Sequence, residues 1–150
     1  MLFRSVVVVL LIVGAQPDHH TAAEVYLRAG NLSRALIEQI KAHAPPGRGR
    51  VNLTLVNMPG FRVARNIGAF TFSNGLNELA RFASPEVATV QLSRIPIRSA
   101  PADFANGSAP VTLADLRSQL LEPSRVVLLF EEPSGLRLLT LETLDDLAGR

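Results

Sequence analysis

Four polar side chains in the first half of the chain are the candidates for binding chemistry. Asn57 follows a predicted strand, Arg62 and Arg65 follow the Pro-Gly turn behind it, and Asn74 opens the next predicted helix. Guanidinium and amide groups donate hydrogen bonds to anions. Because ligands of open α/β sheets bind beyond the carboxyl ends of the strands, these residues predict a small-ligand site. A structural turn with solvated arginines is the alternative.

No pattern in the chain predicts a catalytic residue, a metal ligand set or a cofactor site. Cysteine is absent, and His19 and His20 are adjacent, so their rings cannot share one face of a helix or strand. The glycines around Arg48 precede a strand, which is the wrong order for a phosphate-binding loop. Glu131 and Glu132 fall at a predicted hairpin turn, where carboxylates are normally exposed.

The charge of the chain does not predict a nucleic-acid partner. The isoelectric point of 9.9 is high, but the net charge is only +2. The basic residues are arginines apart from Lys41, which favours an effect of base composition over a phosphate-binding patch. A solvated basic surface is the expected interpretation.

Apolar periodicity and turn residues predict alternating helices and strands. An apolar stripe at spacings of three and four, Val25, Ala29, Leu32, Leu36 and Ile40, indicates a helix that starts at a capping pattern at Thr21. Gly30-Asn31 could kink or break this helix, and Ala44-Pro45-Pro46-Gly47 ends it. Further helices are predicted near 74–83, near 113–121 after a second capping pattern at Thr112–Asp115, and near 143–149. Strands are predicted near 51–56, 87–95, 126–130 and 136–141.

This order of elements predicts an α/β fold. Crossover helices between strands require a small, mostly parallel sheet with flanking helices, and the last two strands form a C-terminal β-hairpin. Residues 61–72 are expected to be irregular, and 96–110 to form a long surface loop. The run Val126–Phe130 has no polar alternation, which is typical of a strand covered on both faces.

The apolar run Val6–Val13 permits three interpretations. Its eight residues are fewer than the roughly 20 that a membrane-spanning helix needs, so it could be the end of a truncated membrane helix. It could also be the first, central strand of a doubly wound sheet, because an uninterrupted apolar run does not separate helix from strand. A signal peptide cleaved near Ala15 is the third interpretation.

Two resemblances favour the first interpretation. Met1–Ser5 resembles translated sequencing adapter, which implies a leader scar. Asn57-Met58-Pro59 after a strand, and Phe72-Ser73-Asn74-Gly75 before a helix, resemble the C-terminal region of bacterial polytopic membrane proteins of the lipid-phosphate-sugar-dependent glycosyltransferase type. The resemblance covers roughly residues 6–95. The acidic catalytic residues of those enzymes lie in early loops that have no counterpart here, so none is carried over.

The expected protein is therefore an accessory domain of a membrane enzyme. Residues 1–16 are expected to be the leader scar and the end of a membrane helix, and 17–150 a soluble α/β domain that is not catalytic by itself. The expected partners are the lipid bilayer and an upstream membrane domain of the same protein, with the soluble part extracytoplasmic. The alternative is a soluble doubly wound module that binds a small ligand or catalyses an unknown reaction.

Overall fold

The described part of the chain folds into four helices and seven strands. The computed structural model describes residues 2–60, 62–64, 67–68 and 75–149, with side chains for 23–60 and 75–149. The helices are α1 Leu2–His43, α2 Leu76–Ala83, α3 Leu113–Leu120 and α4 Leu141–Ala148. The strands are β1 Val51–Val56, β2 Arg62–Ala64, β3 Ile67–Gly68, β4 Val87–Arg94, β5 Ala109–Pro110, β6 Arg125–Glu131 and β7 Gly135–Leu138.

Strand β1 lies at the centre of a five-stranded sheet with the order β5-β4-β1-β6-β7. It pairs in parallel with β4 on one side and with β6 on the other. Strands β6 and β7 form the antiparallel pair. The predicted α/β fold, with a mostly parallel sheet, flanking helices and a C-terminal hairpin, is confirmed.

Each face of the sheet packs against its own pair of helices. Apolar residues of α1 and α2 pack on one face, around Leu36 and Leu55. Apolar residues of α3 and α4 pack on the other, around Leu116 and Leu144. Because successive strand residues point to opposite faces, Leu128 belongs to the first cluster and its neighbour Leu129 to the second. Strand β6 is therefore covered on both sides, as its apolar run predicts.

Helix α1 differs from its prediction at the start. It begins at Leu2 and passes through Thr21 and Gly30, so the predicted start and the considered break are both wrong. A capping pattern marks a helix start only when the residues before it are not helical. The residues before Thr21 are helical, so the pattern does not start a helix here. The end at His43, before Pro45-Pro46, is confirmed because proline cannot continue the hydrogen-bonding of a helix.

The interpretation of Val6–Val13 as the first central strand is wrong. This run lies in α1, and β1 occupies the centre of the sheet. An apolar run without alternation carries no periodicity that would have separated the two states. Across the residues that the structure describes, no helix combines the length and the apolar character needed to cross a membrane.

Three short strands occur where the sequence predicts irregular structure or a loop. Strands β2 and β3 form a small antiparallel pair within the segment predicted to be irregular. Strand β5, at the end of the predicted surface loop, pairs in parallel with the last two residues of β4. Strands of two or three residues carry too few side chains to show periodicity, so tertiary pairing alone defines them.

Both C-terminal helices begin at capping boxes. The hydroxyl of Thr112 accepts a hydrogen bond from the Asp115 amide at 3.1 Å, and the Asp115 carboxylate accepts one from the Thr112 amide at 2.9 Å. This predicted cap is confirmed. Hydrogen bonds from the Thr112 hydroxyl and amide to the carboxylate lower the pKa of Asp115. Thr140 and Thr143 form the second capping box. Helix α4 therefore begins at Leu141, earlier than the last helical turn predicted near 143–149.

Candidate functional site

The chain changes direction within the sheet between β1 and β6. After β1 it proceeds to β4 and β5 on one side, and then crosses to β6 on the other side of β1. The connection that leaves β1 therefore leads to one side of the sheet, and β6 lies on the other side. Parallel strands with this arrangement leave a crevice beyond the carboxyl ends of β1 and β6. The residues after β1 and β6 at this edge are therefore the first place to look for a ligand site.

A cavity of about 520 Å³ lies at this position. Its volume is within the range of about 300–1,000 Å³ that is typical of small-molecule sites. Pro59, after β1, and the turn after β6 contribute one part of its wall, and α1 contributes the other. The lining residues are Arg28, Asn31, Leu32, Ala35, Pro59, Phe130, Glu132, Pro133, Gly135 and Leu136. We call this cavity the switch-point crevice.

The switch-point crevice is apolar with two opposite charges. Among the described residues that line it, Arg28 of α1 and Glu132 of the β6–β7 turn are charged. Both are exposed, and neither side chain forms an ion pair or hydrogen bond with another of the residues whose side chains the structure describes. The amide of Asn31 is similarly unpartnered within that part of the chain. The crevice therefore presents groups of both charges that are available to a ligand.

The loop that carries Pro59 is fixed against a distant segment. The Ala105 amide donates to the carbonyl of Met58 at 2.8 Å, and the Gly60 amide donates to the carbonyl of Asp103 at 2.9 Å. A Cβ atom at Gly60 would clash with the backbone of Phe104, so the close approach of the two segments requires glycine there. This wall of the crevice is consequently held by backbone hydrogen bonds rather than by loosely packed side chains.

Asn57, the first predicted ligand residue, is not among the residues that line the switch-point crevice. Its side chain instead forms a hydrogen bond with the backbone. It is fully buried with φ 57°, and its Oδ1 atom accepts a hydrogen bond from the Ile95 amide at 2.8 Å. Its backbone amide donates to the carbonyl of Ser93 at 2.9 Å. The side chain therefore joins the carboxyl ends of β1 and β4. The Asn57 Nδ2 and Ser93 Oγ atoms are buried without a partner among the described residues.

The other three predicted ligand residues cannot be compared with the crevice. Arg62 belongs to β2, but its side chain lies outside the described set. Arg65 and Asn74 lie outside the described residues altogether. Their role in binding stays a prediction from the sequence.

The sequence-based expectation of two exposed turn carboxylates is wrong for Glu131. This residue is 5% exposed, and its Oε1 atom accepts a hydrogen bond from the Ser99 hydroxyl at 2.8 Å. Its Oε2 atom accepts one from Arg137 Nε at 2.7 Å. Glu131 is the last residue of β6, inside the sheet, whereas Glu132 is exposed at the turn. A buried carboxylate needs such partners because its charge is costly to desolvate.

Replacing Arg137 by methionine is expected to lower the free energy of unfolding by about 2 kcal/mol. The change removes the Arg137 guanidinium from its ion pair with the buried Glu131 carboxylate, and breaking a fully buried pair costs about 3–5 kcal/mol. The expected loss of unfolding free energy is smaller for this pair because the Arg137 side chain is 35% exposed. Urea unfolding measures the loss. Adding Glu131→Gln to Arg137→Met should recover part of it, and a double variant as unstable as the sum of both single variants would contradict this account.

A second, more polar cavity of about 770 Å³ adjoins the other side of the turn. Pro96, Ile97, Arg98, Ser99, Glu132 and Leu147 line it. Glu132 lines both cavities. In the described part of the chain, no three histidine, aspartate or glutamate side chains are grouped closely enough to hold a metal ion.

Sequence reasoning assigned no binding role to the polar residues of the switch-point crevice, for two reasons. Arg28 and Asn31 lie on a helix, and their proximity to the strand ends follows only from the packing of α1 on the sheet. Glu132 was interpreted as an exposed turn carboxylate, because a turn residue carries no sequence signal that separates a binding group from a solvated one. The rule for strand ends thus leads to the carboxyl edge of the sheet, but it does not point to the residues that α1 contributes there.

Comparison with known proteins adds no relative to this description. No protein-family model, no curated protein and no solved structure matches the chain.

Proposed function

We propose that this chain is a non-catalytic accessory domain of a polytopic, glycosyltransferase-like membrane protein, with Val6–Val13 as the membrane-embedded end of a helix. One observation carries the proposal. A single helix, α1, contains both this apolar run and the stripe from Ala29 to Ile40 that packs on the sheet. The resemblance of Asn57-Met58-Pro59 to the tails of such enzymes supports the same assignment.

The helix would hold the domain at a defined distance from the bilayer. Ala29 lies sixteen positions after Val13 in the chain, which corresponds to about 24 Å along a helix. A continuous helix transmits position and orientation better than a flexible linker does. The domain would then support the membrane enzyme by its placement above the membrane surface, on the extracytoplasmic side.

Binding of the full chain to lipid vesicles tests this proposal. Flotation with phosphatidylcholine vesicles should recover the protein with the lipid, and Val9→Asp should reduce recovery at least tenfold, because an aspartate in a bilayer costs about 3 kcal/mol. Leu27→Asp, at an exposed position of the same helix, is the matched control and should bind as the parent does. Equal recovery of the parent and Val9→Asp would overturn the proposal, provided that circular dichroism shows both to be folded.

The switch-point crevice favours a second function, a small-ligand-binding module. Its position beyond β1 and β6, its volume and its unpartnered charges support this role. The test is an NMR screen of a fragment library that contains cationic, anionic, zwitterionic and neutral apolar compounds. Binding of any compound that is lost in Ala35→Phe would support the role. The absence of any such binder at millimolar concentration would contradict it.

A further inference from the structure

Asn106 and Gly107 form the exposed corner of a turn in the loop before β5. Ser108 closes this turn, because its backbone amide donates to the carbonyl of Ala105 at 3.2 Å and its hydroxyl donates to the same carbonyl at 2.7 Å. Gly107 has φ 84°, in the left-handed region that L-residues rarely adopt. The shape of the turn therefore favours glycine directly after this asparagine.

This corner brings together the two groups that react when an asparagine closes to a succinimide ring. The attacking atom is the Gly107 backbone nitrogen, and the carbon under attack is Cγ of the Asn106 amide. Both residues are exposed, and neither forms a hydrogen bond with any residue that the structure describes. A Cβ atom at Gly107 would meet no atom within 4 Å, so the space around the corner is open. Neither reacting group must leave a partner before it reacts.

The other asparagines whose side chains the structure describes lack this combination. Each of them precedes a residue with a side chain, whose Cβ atom hinders the approach of the backbone nitrogen. Each also lies in a regular element or is fully buried. These residues are Asn31 in α1, Asn52 in β1, Asn77 in α2 and the buried Asn57. Asn31 is the most informative of them, because its amide is exposed and unpartnered within the described part of the chain.

We infer that Asn106 is a site of spontaneous deamidation in the folded chain. The Gly107 nitrogen gives up its proton and bonds to Asn106 Cγ, and the side-chain nitrogen takes up a proton and leaves as ammonia. One water molecule then opens the succinimide at either carbonyl. The products are aspartate and isoaspartate, in which the main chain runs through the former side chain. Asparagine is among the thermolabile residues of proteins, and this reaction requires only water.

The isoaspartate product alters the wall of the switch-point crevice. It inserts one carbon atom into the main chain between Ala105 and Ser108, so the hydrogen bonds that close the turn cannot both keep their geometry. The Ala105 amide is also the donor to the Met58 carbonyl, a contact that holds the loop of Pro59. Deamidation at Asn106 therefore weakens this contact as the protein ages, whether or not the crevice binds a ligand.

Incubation of the full chain in mildly alkaline buffer, followed by tryptic digestion and mass spectrometry, tests the inference. The peptide 99–117 contains Asn106 and no other asparagine, and it should gain the mass difference between a hydroxyl and an amino group. A synthetic peptide of residues 104–109 is the reference. Because two hydrogen bonds from Ser108 must be released, the folded chain should react no more than about thirtyfold more slowly than this peptide. A rate below that limit would overturn the inference.

Two controls assign the reaction to this corner. Asn106→Gln should lose the mass change, because glutamine must close a six-membered ring, and a change that persists in peptide 99–117 would mean that another residue reacts. The peptide 29–34 of the same sample contains Asn31 and should keep its mass. Equal rates at Asn31 and Asn106 would show that neither the turn nor the glycine controls the reaction, and the inference would be wrong.

Hydrogen exchange at the Ala105 amide tests the effect on the crevice wall. The isoaspartate form, separated by chromatography, is compared with Asn106→Asp, which has the same charge and an ordinary main chain. Loss of about one net hydrogen bond should make exchange at Ala105 about fivefold faster in the isoaspartate form. Equal exchange in the two proteins would contradict the proposed weakening of the contact with Met58.

Discussion

Replacing Leu36 by alanine is expected to lower the free energy of unfolding by about 3 kcal/mol. The Leu36 side chain is 0% exposed and lies where α1 packs on the sheet, in the cluster that contains Leu53, Leu55 and Leu128. Truncation removes apolar contacts and leaves a cavity, and leucine-to-alanine changes in such positions cost about 2–5 kcal/mol. Urea unfolding followed by circular dichroism measures the change, with the denaturant dependence unaltered.

Leu27 provides the matched control on the same helix. Its side chain is 65% exposed, so Leu27→Ala removes the same atoms without leaving a cavity and should change stability by less than about 0.5 kcal/mol. A similar loss in both variants would mean that α1 is not docked on the sheet as described. Because Leu32 of the same stripe lines the switch-point crevice, Leu36→Ala also tests whether one wall of the candidate site depends on this docking.

Replacing Asn57 by alanine is expected to lower the free energy of unfolding by about 3 kcal/mol, for two reasons. The Ile95 amide loses its buried acceptor, at a cost of about 1–3 kcal/mol. Alanine must also adopt φ 57°, in the left-handed region, which costs an L-residue roughly 1–2 kcal/mol. Thermal and urea unfolding measure the total.

Asn57→Gly separates the two contributions. Glycine adopts a positive φ without a steric penalty but cannot accept the hydrogen bond, so this variant should be more stable than Asn57→Ala by about 1 kcal/mol and less stable than the parent. Asn52→Ala is the control on β1, because the Asn52 Oδ1 atom accepts a hydrogen bond from the Thr89 hydroxyl at an exposed site. This variant should lower the free energy of unfolding by less than about 1 kcal/mol. Equal stabilities for the alanine and glycine variants at position 57 would exclude a strain contribution.

The Asn57 result also bears on the interpretation of polar residues at strand ends. The sequence places an asparagine directly after a strand at the carboxyl edge, and this position is correct. The sequence does not show whether the amide faces a ligand or its own backbone. Its burial and its contact with Ile95, 38 residues away in the chain, decide that question.

The sequence by itself determined the order of the longer helices and strands, because each of these carries a local signal. The stripe on α1, the capping box at Thr112 and the prolines after His43 depend on residues within one or two turns of each other. The apolar run of β6 indicates burial on both faces without reference to what covers it. Together these signals suffice for an α/β fold with a terminal hairpin.

Only the tertiary structure decided which residues meet at the carboxyl edge. Arg28 and Glu132 are separated by more than a hundred residues, and Glu131 is buried because Ser99 and Arg137 reach it from other elements. Val6–Val13 belongs to α1, although its own residues fit a strand equally well. Periodicity and capping are properties of neighbouring residues, whereas a crevice and a buried charge are properties of packed elements. The fold class could therefore be predicted from the sequence, and the side chains of the site could not.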